Sequence, residues 1–253
     1  MGHRYLALLN RSRCGGSVTE ATLAKETTVM PSLTQQDGVH VLCLGDDENR
    51  FSLSWVDAVG GALDEVMASP APLVTVAEGK FYSTGLDLEQ LEANPDLREV
   101  HGRRIAGLLA RVLTLPVPTV AAINGHAFGA GAMFALAHDW RVMRSHRGYF
   151  CLPEVDLGVA FSPGMAALIQ AKLTPAAAVA AMTTGHRFTA PEALGIGLVD
   201  DTAAVDDLLG TAIDRVALLA GKDHQALGTI KAMMFAPAVA RLAPAPESWV
   251  SAS

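Results

Sequence analysis

The sequence predicts an α/β domain, on three observations. Short apolar runs rich in β-branched residues read as buried strands. Longer segments with apolar residues at helical spacing alternate with them. No internal repeat and no second composition zone interrupts the series. The chain has 253 residues, enough for one domain of the larger kind with a substantial core. Hydrophobic residues make up 50% and charged residues 18%, which excludes a disordered chain.

The elements follow in order. Residues 1–32 differ from the rest: the apolar run 5–9 is too short for a signal-peptide core, and Arg4, Arg11 and Arg13 precede the first acid, Glu20. They read as a flexible N-terminal extension or as residues upstream of the true start, with Met30 as the alternative start. Residues 38–44 read as a strand and Asp46-Asp47-Glu48-Asn49 as a polar turn. The segment 51–67 carries Phe51, Trp55, Val59, Leu63 and Val66 at helical spacing, with Ser52 or Ser54 as its cap and Pro70 and Pro72 past its end. Residues 73–77 are a short strand. A glycine-containing loop, 79–88, leads to a helix over 96–115, whose Arg98, Arg103, Arg104 and Arg111 read as a solvated face. Helices are expected at 163–172, 175–183, 190–194, 205–219 and 223–235, a short strand at 198–200, and a fraying tail from Pro237.

The stretch 117–161 carries the chemistry. An apolar run, 117–123, reads as a buried strand that breaks at the turn dipeptide Asn124-Gly125. Gly129-Ala130-Gly131-Ala132 then opens a helical segment, 133–137. Small residues there allow close approach to the backbone, and the first N–H groups of a helix have no internal partner. Trp140 to Met143 reads as a closing strand. Pro153-Glu154-Val155-Asp156-Leu157-Gly158 places a carboxylate in apolar surroundings. Backbone donors beside one carboxylate suit proton transfer next to a carbonyl.

Other chemistries lack support. The net charge is −7 and no Lys/Arg-rich run occurs, so nucleic acid is not an expected partner. Cys14, Cys43 and Cys151 are too few and too far apart for a disulfide framework, which suits a reducing cytoplasm. No apolar run is long enough to predict a membrane span. Phe134 stands where a dinucleotide fingerprint needs its third glycine, and there is no P-loop, no G-x-S-x-G elbow and no metal-ligand spacing among the histidines. His126 reads as a wall or structural residue, and His138, His146 and His186 as surface or packing residues. Taken alone, Glu154 is a loop glutamate with catalysis as its alternative, Asp87 a cap for the next turn, Asp139 a local hydrogen-bonding group, and Asp156 a loop or solvent residue.

Three segments in this order resemble the crotonase superfamily, the enoyl-CoA hydratase/isomerase family. They are Lys80-Phe81-Tyr82-Ser83-Thr84-Gly85-Leu86-Asp87-Leu88, then Pro118-Thr119-Val120-Ala121-Ala122-Ile123-Asn124-Gly125-His126-Ala127-Phe128-Gly129-Ala130-Gly131, then Pro153-Glu154-Val155-Asp156-Leu157-Gly158. A weaker match runs over 183–200, and the likeness is greatest to plant-type Δ3,Δ2-enoyl-CoA isomerases. The resemblance implies a crotonase (ClpP-like) fold: repeated ββα units forming two roughly perpendicular sheets over 33–200, a helical trimerisation region over 201–236, and a flexible tail over 237–253. It implies an acyl-CoA thioester as substrate, no metal or redox cofactor, and a homotrimer or dimer of trimers. Glu154 would be the catalytic acid/base. The backbone N–H groups of Leu86 and Ala130 would form an oxyanion hole. Ser83, Gly85, Asp87, Gly129, Met133 and Phe161 would line the substrate site, with Phe128, Phe134, Phe161 and Met165 setting its depth. Lys231 reads as a surface lysine, with a CoA phosphate contact as its alternative.

Two departures matter. Many family members carry glycine where Ala130 stands, although alanine keeps the N–H. Hydratases of the family carry a glutamate at the position of Met133, and with the equivalent of Glu154 it holds the attacking water. A thioether cannot do that. One carboxylate suffices to move a proton from C2 to C4, so the expected activity is Δ3,Δ2-enoyl-CoA isomerisation in fatty acid β-oxidation. The alternatives are an enoyl-CoA hydratase or another crotonase-type lyase or hydrolase, and a non-catalytic acyl-CoA-binding protein.

Overall fold

The computed structural model describes residues 30–242. A six-stranded sheet runs in the order β1 (Ser32–Gln36), β2 (Val39–Cys43), β4 (Leu73–Val76), β7 (Thr119–Ile123), β9 (Trp140–Arg144), β11 (Asp201–Ala203). Only the β1–β2 pair is antiparallel. Parallel sheets are covered on both faces, which is why 117–123 is apolar without alternation. On β7, Val120 and Ala122 face a small cluster with Leu208, Ala212, Ile213 and Val216 of the helix Leu208–Ala217. Ala121 and Ile123 face the main core. The period of two along a strand makes this division.

The main core lies between the large sheet, two smaller sheets and the remaining helices. One small sheet has the order β10 (Phe150–Cys151), β8 (His126–Phe128), β5 (Phe81–Ser83), and the other pairs β3 (Arg50–Phe51) with β6 (Gly85–Leu86). The helices are α1 (Leu53–Ala68), α2 (Leu88–Ala93), α3 (Arg98–Leu113), α4 (Ala130–Ala137), α5 (Glu154–Leu157), α6 (Pro163–Lys172), α7 (Pro175–Thr184), α8 (Ala190–Ile196), α9 (Leu208–Ala217), α10 (His224–Met234) and α11 (Ala236–Leu242). Ser52 caps α1, accepting from Trp55 N at 3.1 Å. Three of the four arginines of α3 form surface ion pairs, Arg104 with Asp57, Arg111 with Asp64 and Arg103 with Glu99, and Arg98 donates to the Leu91 carbonyl.

Several expectations are corrected. A strand, β1, precedes the first predicted strand, 38–44, and pairs with β2 through the two-residue turn at Asp37-Gly38, both in positive φ. The strand predicted at 198–200 begins at Asp201, because Leu198 and Val199 turn inward as core. The region expected to turn helical from 201 therefore opens with a strand of the large sheet. The tail from Pro237 does not fray over its first residues: α11 packs on α6 and α3, with Ala238 and Leu242 buried. The contact is close, since a Cβ added at Gly164 would lie 2.6 Å from the Arg241 carbonyl oxygen. The expectations for 1–29 and 243–253 lie outside the described residues.

Lys231 is neither a surface lysine nor placed to reach a ligand. It is buried, and its Nζ donates to the carbonyls of Leu115 (2.9 Å) and Val117 (2.7 Å) and to Asp139 Oδ2 (2.6 Å). The same carboxylate oxygen accepts from Thr119 N and Oγ1. Burial holds the Lys231 pKa below the usual lysine range against the attraction of Asp139.

Candidate active site

Three parallel strands release the chain at one edge. β5 continues through Ser83 into Gly85-Leu86, β8 into Gly129-Ala130, and β10 into Leu152-Pro153-Glu154. The ladder between the last two ends with Gly129 N donating to the Cys151 carbonyl at 3.0 Å. The carboxyl ends of parallel strands are where open α/β sheets place their ligands. This shared edge is why three segments far apart in sequence meet.

Gly85 lies against the start of α4. A Cβ there would sit 2.8 Å from Ala130 N and 3.0 Å from Gly131 N, and its φ of +82° is in the left-handed region. Only glycine meets both demands without strain. The first donors of α4 therefore lie beside the Gly85-Leu86 turn. Helices leave these first N–H groups without an internal partner. Gly129, with φ +51°, turns the chain from β8 into α4, and a Cβ there would lie 3.6 Å from Glu154 Oε1. Gly129 thus stands between the Ala130 donor and the carboxylate.

Glu154 is the first residue of α5. Its Oε2 is buried without a hydrogen-bond partner, and burial pushes its pKa up to about 7. Such a carboxylate is a stronger base than an exposed one and still ionises near neutrality. Met133, expected to line the substrate site, is fully buried in the main core, four residues after Gly129 on the same face of α4. Asp156, the nearest acid in sequence, is exposed and rests against Gly185, where a Cβ would meet its Oδ2 at 2.3 Å.

Asp87 caps α2, accepting from Gln90 N at 3.2 Å, and pairs with Arg50. Phe161 is half-buried against the main core, as is Leu86. Ser83 is fully buried with its hydroxyl engaged inside the fold, which leaves it no face toward a ligand. Phe134, expected at the pocket, is core: its ring lies 5.9 Å from those of Phe51 and Trp55 and 6.4 Å from Tyr82. Phe128 lies under Arg187 and Met165 is buried in the same core. His126 is a wall residue, its ring 5.1–5.5 Å from Phe81, Phe128 and Tyr149. Burial first, then Lys80, Arg187 and Arg147, pushes its pKa down to about 4. Asn49, read from sequence only as turn, is buried at φ +47° and clamps β5 through Nδ2 to the Tyr82 carbonyl at 3.1 Å. Asparagine's tolerance of left-handed backbone was the available signal. No group of three or more His, Cys, Asp or Glu able to hold a metal occurs among the described residues.

The fold and site define an α/β domain whose backbone donors and one half-buried carboxylate converge at the ends of parallel strands. A model of the family described as enoyl-CoA hydratase/isomerase matches residues 34–247, and the chain belongs to that family. It is 34% identical over 177 residues to enoyl-CoA delta isomerase 1, peroxisomal, of Arabidopsis thaliana, covering 68% of this chain and 74% of the relative. Carnitinyl-CoA dehydratase of Salmonella arizonae is 34% identical over 161 residues, 63% of this chain and 60% of that one. Among solved structures, a probable enoyl-CoA hydratase of Mycobacterium tuberculosis matches with a TM-score of 0.78 at 25% identity, over 84% of this chain and 91% of that one. Human mitochondrial delta3-delta2-enoyl-CoA isomerase matches with a TM-score of 0.79 at 23% identity, over 85% and 86%, which bears on the fold alone.

Proposed function

We propose that this chain is a Δ3,Δ2-enoyl-CoA isomerase of fatty acid β-oxidation. The observation that carries the reading is Glu154: one half-buried carboxylate, its Oε2 enclosed and its pKa raised, beside Gly129 and the first donors of α4, with Met133 one turn along the same face. The relatives named as enoyl-CoA delta isomerases support it.

In this mechanism the thioester oxygen accepts from the N–H groups of Leu86 and Ala130. Ionised Glu154 removes a C2 proton. The C2–H electron pair moves into a C1–C2 double bond as the carbonyl oxygen takes the charge, giving a dienolate. The carboxyl then returns the proton to C4, the double bond settles between C2 and C3, and the carbonyl re-forms. Each donor to the developing charge supplies about 3 kcal/mol of transition-state stabilisation. Every electron pair stays within the substrate and the carboxyl group, so the step balances without a redox cofactor. Hydration needs a second group to hold water, and position 133 offers sulfur instead. The family resemblance further supports a homotrimer or dimer of trimers, and the cysteine usage a cytoplasmic location.

The test compares 3-hexenoyl-CoA with crotonyl-CoA. The expected result is a conjugated 2-enoyl thioester from the first and no 3-hydroxyacyl thioester from the second. Rapid hydration of crotonyl-CoA identifies a hydratase instead. Tight thioester binding with no turnover of either identifies a binding protein.

A further inference from the structure

Ser83 is hydrogen-bonded to the loop that carries one proposed donor and packs against the segment that carries the other. Its hydroxyl donates to the Asn49 carbonyl at 2.7 Å and accepts the Gly85 N–H at 3.0 Å. On its other side is the first turn of α4: a Cβ added at Gly131 would lie 2.5 Å from the Ser83 carbonyl oxygen and 2.7 Å from its Cβ and Oγ. Gly85 precedes Leu86 and Gly131 follows Ala130, so the chain neighbour of each donor rests on this one side chain. Asn49 is itself fixed, through Nδ2 to the Tyr82 carbonyl and through its N–H to Asp47 Oδ1 at 2.7 Å.

We propose that Ser83, anchored by Asn49, is a positioning residue that sets the separation and aim of the Leu86 and Ala130 N–H groups on the thioester oxygen. This rests on the isomerase reading of the site. Ser83 is fully buried and does not touch substrate; it acts through Gly85 and the start of α4. A hydroxyl can do this because it donates and accepts at once, tying two backbone groups whose partners would otherwise be missing. Small errors in donor placement are expensive in rate, since stabilisation falls steeply with misaimed hydrogen bonds.

The test is Ser83→Ala, which removes both bonds and little volume. The expected result is a kcat on 3-hexenoyl-CoA lower by about 10- to 100-fold, with KM little changed. Ser83→Cys, which keeps a weak donor and acceptor, should recover part of the rate. The readout specific to aim is optical. A bound 2,4-dienoyl-CoA should absorb at longer wavelength when its carbonyl is polarised, and the shift should shrink in Ser83→Ala at saturation. Unchanged kcat and an unchanged shift overturn the proposal, as does a loss of rate with the full shift retained, or a wild-type protein that binds the dienoyl thioester without any shift. A wild-type protein that gives the shift yet does not isomerise overturns the isomerase reading alone, and the difference between wild type and Ser83→Ala still decides the role of Ser83. If Ser83→Ala does not fold, Asn49→Gly decides: it keeps the left-handed backbone and removes the Nδ2 clamp. It should lower kcat and the shift together, and leaving both intact overturns the proposal.

Discussion

At residue 154 one environment sets both rate and stability. Burial raises the Glu154 pKa to about 7, so the base is protonated at lower pH and the proposed reaction is slow there. The expected kcat/KM on 3-hexenoyl-CoA rises with pH through about 7 and levels off above it. A flat profile across that range shows that Glu154 is not the base. Glu154→Gln removes the proton acceptor and leaves the donors, so a loss of about 10²- to 10⁴-fold is expected. Activity equal to wild type refutes the assignment. The stability consequence has the opposite sign to that of a paired carboxylate. The native state holds this proton more tightly than the unfolded chain does, so stability contributed at low pH is lost as pH rises through the folded value. Relative to wild type, Glu154→Gln should therefore melt higher at pH 8 than at pH 5, as read by thermal denaturation at the two values. An equal difference at both pH values rules out a buried, titrating Glu154.

At the scale of elements, close approach at Gly85 and the anchor on α10 are the features most exposed to test. Gly85→Ala adds a Cβ 2.8 Å from Ala130 N at a φ of +82°, so the loop must move away from α4. The strain costs about 1–2 kcal/mol, and isomerase activity should fall much further than stability, as measured by kcat beside a denaturant titration. Parallel losses in both would mean that Gly85 is structural only. Lys231→Met leaves the Asp139 carboxylate without its cation and two carbonyls without their donor. Breaking a buried pair from one side costs about 3 kcal/mol or more, to be read as a lowered denaturation midpoint. These two positions also show what was legible. Gly85 stood out because a glycine before a capping aspartate marks a special turn. Lys231 did not, because a lysine four residues from the end of an amphipathic helix reads as surface, and its partners are 92 to 116 residues away in sequence. Helices were readable from their period, and β2, β4, β7 and β9 as short apolar runs. The strand β1, with its polar Thr34, Gln35 and Gln36, was not, since it is exposed at the sheet edge and is held by pairing with β2. Phe134 was misplaced because a helix that is buried all round gives no moment by which to tell its core side from its pocket side.

At the scale of the molecule, the family resemblance brought the three motifs to one site without a physical reason, and the common edge of β5, β8 and β10 supplies that reason for Gly85, Gly129 and Glu154. The same holds for the surface. Ile230, Met233 and Met234 of α10 are on neighbouring positions of one helix face and are 53%, 75% and 64% exposed. A cluster of this kind carries a hydrophobic cost in water that association removes. The proposed trimer gives it an occupant, a second copy of the chain. Sedimentation equilibrium should then return about three times the chain mass of 26.5 kDa, or about six times for a dimer of trimers, since cyclic assembly closes its interfaces. Met233→Glu combined with Met234→Glu places two charges on that face and should shift the mass toward one chain, with circular dichroism unchanged because neither side chain belongs to the core. A monomeric wild-type protein refutes the trimer. A trimer indifferent to both substitutions keeps the assembly but moves its interface away from α10. Because α10 is also tied to the large sheet through Lys231 and Asp139, dissociation by the paired glutamates should leave the denaturation midpoint of the single chain near that of dilute wild type. Lys231→Met should lower it in either state, and this separates what holds the helix to its own core from what joins one chain to the next.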